Sequence, residues 1–175
     1  INDAANLIAA GEISVAIATG GEAMRTANKR AQAEAAQAEA AGAAAKVINN
    51  AVAHAVVVVA AEAGAMATAA GVSCDKLIAL LSDAQMGLHR PLTYRYAERI
   101  VQGDYAGGMP LDAARKDSVL ALQLAQTLGV PLFAIQGSHS VYDMAAAAGH
   151  GRDDYAAVAK LWADWGCPTV PPRAD

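Results

Sequence analysis

Lys46–Gly71, KVINNAVAHAVVVVAAEAGAMATAAG, is the longest apolar segment in the chain. No Pro interrupts it and no Gly precedes Gly64, so the stretch predicts one helix, which at 1.5 Å per residue reaches roughly 39 Å. Val47, Ile48, Val52, Val56, Val57, Val58 and Val59 place apolar side chains on every face. That is the pattern of a helix enclosed by other helices, and the expectation is a long buried helix around which the remainder packs.

Composition points the same way. The 175 residues are 55% hydrophobic but 5% aromatic, and much of the apolar content is Ala. Small side chains favour closely approaching helices, so the expected fold is predominantly α, a helical bundle in one compact domain with a short β segment near the N-terminus. Thirteen basic against 17 acidic residues, a net charge of −4, leave no basic stripe for nucleic acid. A membrane span is disfavoured because His54 and Glu62 sit inside the apolar run. Cys74 and Cys167 lie far apart without a metal-ligand spacing, as expected of reduced thiols in a cytoplasmic protein, and the four histidines show no ligand pattern either. The N-terminus, INDAANLIAAGE, lacks the basic region of a secretory signal and does not begin with Met, which suggests a fragment or processed chain.

Around the central segment the chain divides into three expected regions. Residues 1–41 read as a strand, a turn and a solvated helix: Ile13–Thr19, ISVAIAT, has β-branched alternation, Gly20-Gly21 breaks it, and Ala31–Ala40 is a tandem AQAEA repeat of strong helix formers. Two adjacent glycines fall far short of a dinucleotide fingerprint, and a tight turn is the plainer reading. Gly42 is the expected break before the central helix, and residues 42–167 form the helical domain. Within it, Ser73 caps a short amphipathic helix, Leu92–Val101 makes another, and Gly103–Pro110 is a loop. Leu111 or Asp112 opens a Leu-rich helix stopped by Gly129, and the segment after Pro131 is helical in spite of Gly137. Asp153 or Asp154 caps the last helix. Residues 168–175 read as a tail.

Two places suggest chemistry. Lys46 and Asn50, four apart, share one helix face a single turn from each other. An amine and a carboxamide so placed can act on one oxygen, the amine moving its proton and the amide holding it. From spacing alone a lysine snorkelling at the helix start, with Asn49 and Asn50 bonded to backbone or solvent, is favoured. Lys116 and Asp117 are adjacent and diverge by about 100° on a helix, which fits a solvated pair, although Lys116 can reach a bordering cleft. His54 continues the Lys46 stripe but reads as a core histidine. Glu62, inside the apolar helix, needs a hydrogen-bonding partner. His89-Arg90 reads as a solvated loop, and Trp162 with Trp165 as core or subunit contact.

The order of the pieces adds a resemblance. Gly42–Asn50 (GAAAKVINN), Glu62-Ala63, Gly71, Pro110–Leu122 (PLDAARKDSVLAL) and Gly149–Val158 (GHGRDDYAAV) together resemble the C-terminal helical domain of the β-hydroxyacid dehydrogenases. This family includes 3-hydroxyisobutyrate dehydrogenase and tartronate semialdehyde reductase, with 6-phosphogluconate dehydrogenase a more distant relative. The resemblance implies hydride transfer between a small carboxylate-bearing 3-hydroxy acid and NAD or NADP in a homo-oligomer, a dimer. It makes Lys46 the catalytic lysine assisting proton transfer at the substrate hydroxyl, Asn50 a substrate-binding amide, and Lys116 the lysine that lies at the cofactor. Asp154 reads as a turn and cap residue in both accounts. The chain departs from the family in lacking the Gly-x-Gly-x-x-Gly nucleotide domain and the Ser-Gly-Gly substrate loop, so these residues alone are expected to be inactive. Two other readings are a non-catalytic helical dimerisation module and an imine reductase-like domain, the latter disfavoured by lysine at position 46.

Overall fold

The computed structural model describes residues 12–168, with side chains described from Met24 onward. Regular structure among them is helical, and the only bridge of β type joins Pro110 to Asp154. The chain divides into two compact units, the first ending at Ala53 and the second beginning at His54.

In its described residues the first unit is the N-terminal part of helix α1 (Glu12–Ala69). Two expectations are corrected here. The strand predicted over Ile13–Thr19, with its Gly20-Gly21 turn, is helical, and the helix passes through Gly42 without a break. A lone strand leaves its N–H and C=O groups without a ladder, whereas a helix satisfies them internally. Once nucleated in the Ala, Glu and Gln-rich repeat, the helix extends cooperatively, and a glycine's cost of about 1 kcal/mol is too small to interrupt it.

The enclosure expected of the central helix is also corrected. Val47, Ile48 and Val52 are exposed, as are Val56, Val57 and Val58 at the start of the second unit. A helix that is apolar all round needs neighbours on every side, and the described residues do not cover this stretch. Burial begins at Val59 and is nearly complete at Glu62. The segment Met24–Ala69 holds a stretch apolar enough to cross a bilayer by length and composition alone, yet its Glu62 end is anchored in protein.

The second unit follows the expected stops and starts closely. Gly71 adopts φ 76°, and the amide of Val72 donates to Ala67 O at 2.8 Å, the wrap that closes a helix C-terminus. Ser73 caps α2 (Cys74–Ser82) by accepting from the Lys76 amide. Helix α3 (Pro91–Ile100) is wound as a π-helix, with the Val101 amide reaching back to Tyr96 O. Helix α4 (Leu111–Leu128) ends at Gly129 with φ 69°, and α5 (Ala134–Ala145) runs on into a π turn over Ala146–His150. Asp154 caps the 3₁₀ segment Tyr155–Ala159, which leads into α6 (Lys160–Asp164). The core is small: Leu111, Ala145 and Leu161 meet there with Val141, Tyr142, Ala146, Tyr155 and Val158 around them.

Glycines test this description. Gly108 has φ 73°, and a Cβ there overlaps Asp154 Oδ2, whereas a Cβ at Gly42 meets open space. Gly108→Ala is expected to destabilise by about 1–3 kcal/mol and Gly42→Ala to be neutral or stabilising by about 0.5–1 kcal/mol. Urea midpoints of the two variants check this; a similar loss at both positions contradicts it.

Candidate active site

Lys46 and Asn50 lie on the uninterrupted part of α1, both exposed and one turn apart on the same face. The stretch that carries them is rich in Ala and Val, with Asn49 and His54 as the nearest other polar side chains along the helix. Neither Lys46 nor Asn50 forms a side-chain hydrogen bond or ion pair among the described residues. Lys116 belongs to the second unit. It is exposed on the second turn of α4, beside Asp117.

What holds α4 in place is the Gly149–Val158 motif. The Leu111 amide donates to Asp153 O at 2.8 Å and the Asp112 amide to Gly151 O at 3.0 Å, so two N–H groups at the start of α4 find partners in the closing motif. The same motif secures the loop before α4, with the Asp154 amide donating to Tyr105 O and the Tyr155 amide to Met109 O, each at 2.9 Å. Asp154 itself is fully buried. Its Oδ1 accepts from the Ala156 amide and lies 3.2 Å from Arg95 Nε, an ion pair without the alignment of a hydrogen bond. Arg95 is flanked by the rings of Tyr94 and Tyr155, at 4.5 and 4.3 Å from their centroids.

Glu62 finds its partner in an unexpected place. Its carboxylate accepts the amides of Phe133 and Ala134 at 2.6 and 2.8 Å through Oε1, and that of Ile135 at 3.1 Å through Oε2. These are N–H groups at the start of α5, which no residue of α5 caps, so a side chain from a distant helix acts as the cap. The bond from Ala134 above all, with those from Ile135 and Phe133, holds the Glu62 pKa below its ordinary value, against the opposing effect of burial.

Two clusters went unseen in the sequence. Arg115 pairs with Asp143, Asp143 lies 3.3 Å from His139 Nε2, and His139 Nδ1 lies 2.8 Å from Ser118 Oγ. The sequence signal was present as His139 and Asp143 four apart on α5 and Arg115 and Ser118 three apart on α4, spacings that put each pair on one face. The second cluster sets His150 between Asp153 and Asp164, at 3.4 and 3.9 Å, with Lys160 Nζ 2.6 Å from Asp153. The Lys160 hydrogen bond is the main cause of a lowered Asp153 pKa. Buried Tyr142 is pushed up to about 12, chiefly by desolvation. An open cavity of about 680 Å³, lined among others by Tyr96, Ile100, Val101, Tyr105, Val158 and Trp162, is lined by none of Lys46, Asn50 or Lys116.

Residues 40–162 match the family model described as NAD-binding of NADP-dependent 3-hydroxyisobutyrate dehydrogenase. The chain belongs to the β-hydroxyacid dehydrogenase family. Its relatives include 3-sulfolactaldehyde reductase of Escherichia coli (strain K12), 32% identical over 113 residues, which are 65% of this chain and 38% of the relative. A 2-(hydroxymethyl)glutarate dehydrogenase of Eubacterium barkeri is 29% identical over 119 residues, 68% of this chain and 39% of that protein. L-threonate dehydrogenase of Haemophilus influenzae is 27% identical over 129 residues, 72% and 41% of the two chains. The chain thus spans about two fifths of the length of these relatives. The family's cofactor is a nicotinamide dinucleotide, and every motif quoted above lies inside the matched segment.

The described residues form no cradle for the phosphates of such a cofactor. Lys116 offers an exposed ammonium in no ion pair among the described residues, but Gly20-Gly21 lie within α1, so the turn that would cradle a pyrophosphate is not formed there.

The Glu62 cap carries its own pH signature. Because its folded pKa is lowered, its contribution is fully present above the ordinary value of 4.5 and is lost as pH falls through the folded value. Urea midpoints measured across this range are expected to separate wild type from Glu62→Gln at neutral pH and to converge in acid. A gap that stays constant down to the most acidic point contradicts the cap.

Proposed function

We propose that this chain is the helical, substrate-side domain of an NAD(P)-dependent β-hydroxyacid dehydrogenase acting on a small 3-hydroxy acid. The observation that carries the reading is Lys46 and Asn50, one turn apart on one face of an unbroken helix, within the segment matched by the family. In this reading the Asn50 carboxamide holds the substrate, and the Lys46 amine stands at its hydroxyl.

A bound nicotinamide would supply hydride acceptance from the carbon that carries the hydroxyl, and hydride donation in the reverse direction. As the hydride leaves, Lys46 takes the hydroxyl proton and a carbonyl forms; in the reverse direction the Lys46 ammonium gives that proton back. Lys116 lies at the cofactor and closes over it. The relatives named above act on different small molecules, so the substrate is proposed only as a class.

Oligomerisation belongs to the same reading. The exposed Val47, Ile48 and Val52 are what a helix keeps when a second copy covers it, and a homodimer in the cytoplasm, with exposed Cys74 and Cys167 as free thiols, accounts for that surface.

In the complete enzyme Lys46→Ala is expected to lower kcat by roughly 10²–10⁴-fold, the scale of a lost general acid or base. The cofactor Kd should change little. Steady-state kinetics and a cofactor titration measure the two quantities, and near-normal turnover would sink the assignment.

A further inference from the structure

The cluster between α4 and α5 closes into a ring. It begins at the Arg115 guanidinium bound to Asp143 and passes through His139 to Ser118; the Ser118 hydroxyl then donates to the carbonyl oxygen of Arg115 at 2.7 Å. With that hydroxyl proton directed to the carbonyl, His139 Nδ1 donates toward Ser118 Oγ, and Nε2 carries a proton toward Asp143 as well only in the imidazolium form, so a protonated His139 makes all the links of the ring at once. The ring therefore starts on the side chain of Arg115 and ends on its backbone, at the peptide group that joins it to Lys116.

We propose that Arg115, Ser118, His139 and Asp143 are positioning residues, which fix the roll of α4 and so the direction in which Lys116 presents its ammonium to the cofactor. The two attachments from α4, Arg115 and Ser118, are three residues apart and share one face, while Lys116 is rotated about 100° from the first of them. Held at two points on one side, the segment has one orientation left for the intervening residue. Of α4, Leu111 belongs to the core cluster and Ala125 is buried near the other end, while Arg115, Lys116 and Asp117 are exposed and Ala114 and Val119 beside them are half-buried, so the polar ring adds a tie where the helix turns its charged side outward. His139 is mostly buried within the ring, with a side-chain exposure of 13% against 47% for Arg115 and 44% for Asp143, so the ring is closed at its inner edge.

This inference rests on the reading of Lys116 given above, and the test separates the two. In the complete enzyme, cofactor KM, substrate KM, kcat and the thermal midpoint are measured for wild type, K116A, H139F and the double variant. The expected result is that H139F raises cofactor KM roughly fivefold with substrate KM unchanged, and that the double variant matches K116A, the non-additivity of residues acting as a unit. H139Q, which keeps an amide donor toward Ser118, is expected to recover part of the loss. A lower thermal midpoint with cofactor KM at the wild-type value, or effects of H139F and K116A that simply add, overturns the positioning role. K116A with unaltered cofactor KM overturns the reading of Lys116 itself.

Discussion

A single carboxylate joins α1 to the rest of its unit. Glu62 sits where α1 first becomes buried, and it accepts three amides that would otherwise be unsatisfied at the start of α5. The arrangement solves two problems together: a charged group within an apolar helix and an uncapped helix N-terminus each need a partner, and each is the other's. Helix α5 in turn packs on α4, and α4 bears the lysine assigned to the cofactor. The placement of α4 and its lysine in the second unit thus traces back to one ionised side chain on a mainly apolar stretch of α1.

The far end of α4 is held differently. There the closing motif lends its backbone carbonyls to the first amides of the helix, and buried Asp154, paired with Arg95, supports the motif from beneath. A buried ion pair of this kind contributes little net stability once its desolvation is counted, but removing one partner leaves a charge with nowhere to go. Its value lies in geometry. The loop over Tyr105–Pro110 and the start of α4 share one support.

How much of this was legible beforehand depends on range. Local signals were read correctly because they act within a few residues: Ser73 as a cap, Gly129 as a stop, Leu111 as a start and Asp154 as a cap all follow from short-range hydrogen bonding. The strand at Ile13–Thr19 failed for the complementary reason, since β-branched residues suit a strand only when another strand pairs with them. Lys46, Asn50 and Lys116 are singled out by motif order, because their spacing by itself favours a solvated role. Glu62 was seen to need a partner, but that partner lies some seventy positions along the chain, where no periodicity reaches. The ring of Arg115, Ser118, His139 and Asp143 was invisible as a whole because its two halves meet only when α4 and α5 do.

The π winding of α3 carries one more consequence. Its register aligns residues five apart, so the Tyr94 hydroxyl receives Arg99 Nη2 at 2.7 Å and the Val101 amide returns to Tyr96. A π turn is the form a helix takes when it accommodates one residue more than the α form between fixed ends. Chain length is therefore a free variable here in a way it is not in α4, whose two ends and one side are tied. Within Pro91–Ile100 the set of residues that share a face follows the five-residue spacing of these bonds.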